Sequence, residues 1–249
     1  MNKILLSPIK ELLRSQLVAI FFLLAHSACQ LYSQDKRLLE NALHTPSSSE
    51  STLVEEYKGW KEVFHENFSN TPLGAEPDSL FILDGAYTVQ ASGSSERVLS
   101  LPGTPTGDYG VLFGPKIKDK AVELRFSFYA SPRGRRMPSI AASVGGVRGL
   151  RLRLNPAART LTFTLDEIVL KQTTLDWKGE QWWTVRLRVV PSTGTHVMCK
   201  LWPSLEAETV DWLVDETFEV EHKSGKCALW GFPYAGTEIL FDEIIVLSK

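Results

Sequence analysis

The sequence predicts an all-β fold, a two-sheet antiparallel sandwich, and three observations carry that prediction. Apolar residues from Trp60 onward recur mostly at period 2, the spacing at which successive side chains of a strand alternate between faces. Gly, Pro, Asn and Asp interrupt the pattern at intervals of about 8 to 15 residues, which suits many short strands rather than alternating strands and helices. After the first thirty or so residues no stretch carries three turns of amphipathic helical pattern. The clearest single element is a hairpin over 181–203, QWWTVRLRVVPSTGTHVMCKLWP. Its first arm sets Trp183, Val185, Leu187 and Val189 on one face and Trp182, Thr184, Arg186 and Arg188 on the other, and its second arm opposes Val197, Cys199 and Leu201 to Met198, Lys200 and Trp202.

In chain order, residues 1–29 read as a signal peptide. Lys3, Lys10 and Arg14 precede the apolar run from Leu17 to Ala25, and the small residues Ser27 and Ala28 follow. The run is shorter than the roughly 20 residues a bilayer span needs. Cys29 stands where a bacterial lipoprotein signal places its lipidated cysteine, although His26 replaces the usual aliphatic residue, so lipid anchoring and simple cleavage are both open. The expected location is extracytoplasmic: secreted, periplasmic or lipid-anchored at the cell surface. Residues 30–58, with Pro46 followed by a serine run, lack the apolar content to order themselves and read as a flexible linker.

The β-sandwich domain is expected over 59–249, with strands near 61–68, 86–91, 97–101, 110–114, 122–130, 139–145, 150–155, 160–165, 168–173, 182–190, 196–202, 227–232 and 238–247. The last of these is apolar on both faces, which predicts a central or covered strand, and its natural partner is the first. Trp183, Val185, Leu187, Phe126, Leu152, Phe163 and Phe241 belong to the more apolar alternate sets and are expected to point inward.

Four segments in this order, Phe64 to Phe68, Asp84 to Val89, Trp183 to Val189 and Leu240 to Val246, resemble those of the concanavalin A-like lectin/glucanase jelly rolls. The stretches Cys199 to Pro203, Asp211-Trp212 and Leu229 to Asp242 look like a group of uncharacterised secreted bacterial proteins of that fold. The resemblance covers about 60–249 and implies architecture and an extracytoplasmic setting without a catalytic assignment. It also implies a possible structural calcium ion joining the first and last strands, with Glu66, Asn67 and Asp242 as oxygen donors.

Chemistry is sparse. The Glu-x-Asp-x-x-Glu arrangement of laminarinase-type members, which aims alternate carboxylates into one cleft, does not occur. Glu219 and Glu221 are expected on one face of an edge strand, and Asp166-Glu167 and Asp215-Glu216 read as turns. The five histidines have no metal-ligand spacing, and Gly145 to Gly149 lacks the lysine and helix of a phosphate loop. Cys199 and Cys227 could form a disulfide in an oxidising compartment or remain buried thiols. A net charge of −2 leaves no footprint for nucleic acid, and membrane contact is expected only through an N-terminal lipid.

The leading functional reading is a secreted or surface-anchored non-catalytic binding module for glycan or another surface polymer. The alternatives are a glycoside hydrolase or lyase and a structural or protein-interaction domain. The expected ligand face combines Arg125, Tyr129, Arg151, Arg153, Trp182, Arg186, Arg188, Lys200 and Trp202, which would share one cationic, aromatic platform if their strands lie in one sheet. Arginine forks suit carboxylates and sulfates, so the expected ligand is an anionic polysaccharide. In the opposing reading these arginines pair with Glu123 and other local acids while Trp202 covers an edge.

Overall fold

The computed structural model describes residues 57–92, 96–105 and 107–249. The expected signal peptide, most of the expected linker and Cys29 lie outside the described residues. Gly59–Lys249 forms one compact unit of fifteen strands. These are β1 (Lys61–Glu66), β2 (Leu80–Ile82), β3 (Thr88–Ser92), β4 (Glu96–Leu101), β5 (Tyr109–Ile117), β6 (Val122–Ala130), β7 (Ser139–Val144) and β8 (Leu150–Asn155). There follow β9 (Thr160–Leu165), β10 (Ile168–Thr174), β11 (Trp182–Pro191), β12 (Thr195–Pro203), β13 (Val214–Phe218), β14 (Gly225–Phe232) and β15 (Ile239–Ser248).

They form two antiparallel sheets. Sheet A runs β13-β12-β11-β6-β15-β4-β3, with β1 added to β15, and sheet B runs β10-β9-β8-β7-β14-β5-β2. The strand that is apolar on both faces is central, as expected. β15 pairs β6 along its length, β4 through Ile239–Phe241 and β1 through Ile244–Ser248. A bulge between Asp242 and Ile245, where Glu243 takes a φ of 48°, separates the segments that serve β4 and β1.

All seven expected core residues are buried. Between the sheets Phe126 contacts Phe128 and Phe241, and Phe128, Trp177 and Trp183 form successive edge-on contacts at 5.4 and 6.4 Å. Phe64 on Phe113 and Phe163 on Phe218 join sheet A to sheet B. Lys171 of β10 also bonds Glu216 of β13, coupling the terminal strands of the two sheets.

Two strands escape the sequence pattern. β2 is only three residues long. β13 carries Asp215 and Glu216, expected in a turn; with only five residues at the edge of sheet A, it needs no apolar outer face. Glu219 and Glu221 fall just beyond it and belong to no strand.

Candidate functional site

The nine expected ligand residues divide between two outer faces. Arg125, Tyr129, Trp182, Arg186, Arg188, Lys200 and Trp202 sit on sheet A, and Arg151 and Arg153 on sheet B. A single platform is therefore ruled out: the expectation used alternation within strands, and alternation does not say which sheet a strand joins.

On sheet A, β-pairing places Arg125, Arg186 and Lys200 in one row and Glu123 beside Arg188 in the next. The Glu123 side chain has no exposed surface and receives three guanidiniums. Arg125 Nε lies at 2.7 Å, Arg186 Nε at 3.1 Å, and Arg188 Nε and a terminal nitrogen each at 2.6 Å. The loop after β12 folds over this cluster. Its Glu208 meets Arg186 and Lys200, and Lys200 also donates to the carbonyl of Thr209. The Trp212 ring lies 4.8 Å from the Arg186 guanidinium and 4.7 Å from the Lys200 ammonium, while Trp60 lies 4.9 Å from Arg188. Arg186 is wholly buried, and Arg188, Lys200 and Trp202 are nearly so. The Tyr129 and Trp182 rings lie against each other, tilted, at 5.8 Å and half-buried. Charges desolvated and paired in this way act on the fold rather than on a ligand.

The outer face of sheet B is organised differently. The registers place Phe81, Leu112, Ala228, Ser143, Arg151 and Thr164 in one cross-strand row, and Gly110, Trp230, Ala141, Arg153, Thr162 and Gln172 in the next. Small residues form the floor. Gly110 makes room for Trp230, since a Cβ there would stand 2.5 Å from the indole nitrogen. The Arg151 guanidinium lies 4.0 Å over the Trp230 ring, and that of Arg153 4.0 Å over Phe232.

Arg151 and Arg153 are two residues apart on β8, so they share one face with their backbones about 7 Å apart. Asp108 reaches Arg151 at 3.7 Å and is the one carboxylate within ion-pair distance of either guanidinium among the described residues. Partial burial pulls Arg153 below the usual guanidinium range, and its Nε is buried without a hydrogen-bond partner. An anion above this face would offset the desolvation of the cation. Sequence reasoning missed Trp230, Phe232 and Asp108. The available signal was that Ala228, Trp230 and Phe232 alternate with the inward Cys227 and Leu229, making β14 apolar on both faces.

The residues expected for calcium are engaged in local hydrogen bonds. Glu66 accepts from Phe68 N at 2.7 Å and from Ser79 Oγ at 2.5 Å, so both its oxygens are used locally. Asn67 Oδ1 accepts from the amide and hydroxyl of Ser69. Asp242 accepts from Glu243 N, and burial pushes its carboxyl up to about 6. Cys199 and Cys227 are free thiols on different sheets, and burial pushes both up to about 12; the disulfide expectation is corrected.

No family model matches the sequence, and no curated protein matches it. Solved structures do match. Lectin II from Ulex europaeus superimposes with a TM-score of 0.55 at 9% identity, over 76% of this chain and 100% of that one. The metal-free carbohydrate recognition domain of Emp46p gives 0.54 at 11%, over 75% and 94%. Lectin I-B4 from Griffonia simplicifolia gives 0.53 at 8%, over 75% and 99%. At such identities the likeness concerns architecture alone: this chain has the concanavalin A-like jelly-roll fold.

Proposed function

We propose that the domain is a non-catalytic glycan-binding module that takes an acidic polysaccharide across the outer face of sheet B, acting outside the cytoplasm as a secreted or lipid-anchored protein. The observation that carries this reading is the pair of stacked guanidiniums. Trp230 is only 3% exposed, so a ligand meets the outer planes of Arg151 and Arg153 rather than the indole. Stacking holds the forks in place, so little rotamer entropy remains to be lost when a carboxylate or sulfate binds. Two arginines share one nearby aspartate, which leaves the face net cationic. Ser139 and Thr164, both partly exposed, supply neutral partners for sugar hydroxyls. The lectins that share the fold are consistent with glycan binding and do not specify the ligand.

The test is a glycan array followed by calorimetry. Uronic-acid or sulfated glycans should bind, and Arg151→Ala combined with Arg153→Ala should weaken binding at least tenfold and flatten its salt dependence. Equal binding by that variant, with the fold intact, would move the site elsewhere. Reducing-end release during incubation would make the protein an enzyme.

A further inference from the structure

The outer face of sheet B ends abruptly. Along β8 it runs from Arg153 to Arg151 and one strand repeat later reaches Gly149; along β9 it runs from Thr162 to Thr164 and then to Asp166. At that end the β7–β8 and β9–β10 turns enclose a cavity of about 330 Å³ lined by Val147, Arg148, Arg151, Thr164, Asp166 and Glu167. This is within the range of small-ligand sites.

The β9–β10 turn has an unusual backbone. Asp166 and Glu167 take φ values of 47° and 68°, the paired left-handed conformation of a two-residue hairpin turn, where glycine is the usual second residue and a glutamate carries strain. Asp166 is shared by Arg148 and Lys223, each at 3.7 Å. Glu167 is exposed and has no ion-pair partner among the described residues.

We infer that this cavity is the terminal subsite of the glycan face, holding the last sugar of an acidic chain rather than an interior one. The inference rests on the reading of the face given above. A chain lying along the strands from Arg153 to Arg151 leads into the cavity between the two turns. Arg151 lines both face and cavity, so it can grip the acid group of the final sugar. An interior sugar spends a hydroxyl on the next linkage, whereas a terminal one keeps it free to donate. The Glu167 carboxylate and the Thr164 hydroxyl are the acceptors placed to receive such hydroxyls. A glutamate kept in a conformation that favours glycine is thereby given a task that glycine could not perform.

The test titrates the whole protein with uronic-acid oligosaccharides of defined short, intermediate and long lengths. End recognition predicts one protein per chain at every length, with affinity per chain unchanged. Glu167→Gly should keep or raise the melting temperature, because glycine takes the positive φ without cost, while binding falls about tenfold for the loss of one charge-assisted contact. Bound protein per chain that rises with length, or wild-type affinity in Glu167→Gly, would overturn terminal recognition and leave the face as a mid-chain binder. Absence of binding to every acidic glycan would remove the face itself, and the terminal subsite with it.

Discussion

Replacing Glu123 by Gln keeps the shape of the side chain and removes the charge on which three guanidiniums converge. The carboxylate and Arg186 are both fully buried, and Arg188 is 9% exposed at its side chain. The four nitrogen–oxygen contacts to Glu123 run from 2.6 to 3.1 Å. Hydrogen bonds to charged groups contribute about 1.5 to 3 kcal/mol apiece, but members of one network do not add. The better guide is the loss of one partner from a buried ionic cluster, about 3 to 5 kcal/mol. Glu208 lessens this by continuing to pair with Arg186, which places the expected cost near the lower bound. With a urea m-value of about 2 kcal/mol/M, the unfolding midpoint should fall by roughly 1.5 M. The control is Arg151→Ala on the other sheet, which should weaken glycan binding while moving the midpoint by less than about 0.5 M. A Glu123→Gln midpoint within 0.5 M or so of wild type would refute the structural role given to the sheet A cluster and return its arginines to consideration as ligand groups.

Other perturbations follow from the same geometry. Trp183→Ala empties a core position and deletes the indole bond to the Lys178 carbonyl; equilibrium unfolding should register a loss of about 3 to 5 kcal/mol, and a loss under 1 would mean the register of β11 is wrong. Asp242, raised to about 6 in the fold, binds its proton more tightly folded than unfolded. Its carboxyl therefore favours the fold below about pH 4 and opposes it increasingly as pH rises to about 6. Asp242→Asn, which keeps the acceptor for Glu243 N, should accordingly raise the melting temperature at pH 8 and not at pH 4; an equal rise at both would exclude titration as the cause. Non-reducing alkylation after denaturation should label both Cys199 and Cys227, and the melting temperature should be the same with and without reductant. Because Glu66 and Asn67 close their own turns, excess chelator should leave the melting temperature unchanged; a fall reversed by calcium would make them ligands after all.

Much of the fold was legible because its strands alternate cleanly. The buried set of β11, Trp183, Val185 and Leu187, follows directly from period 2, and the two-sided apolar character of β15 marked it as central. Sheet membership was not legible. Arg151 and Arg186 have the same local pattern, yet one joins an open face and the other lies beneath Trp212, because pairing partners are chosen over long separations that no local window contains. The cover itself was hidden for a related reason: Glu208 and Trp212 sit in a loop without periodicity. β14 was the missed opportunity, since Trp230 was visible as an apolar residue on the polar side of a strand.

The placement of β15 has a consequence for how the chain reaches this structure. The last strand in sequence is the middle strand of sheet A, flanked by β6 on one side and by β4 and β1 on the other. Until residues 239–248 have been synthesised, β3 and β4 have no ladder joining them to β6, β11, β12 and β13, and β1 has no strand to pair with. Closure of the sheet thus waits for β15, and the contacts that form it span nearly the whole domain, a topology associated with slow folding. The nascent domain stays open until β15 has been made, and a proteolytic cut just before residue 239 would cost the molecule the seam of a whole layer.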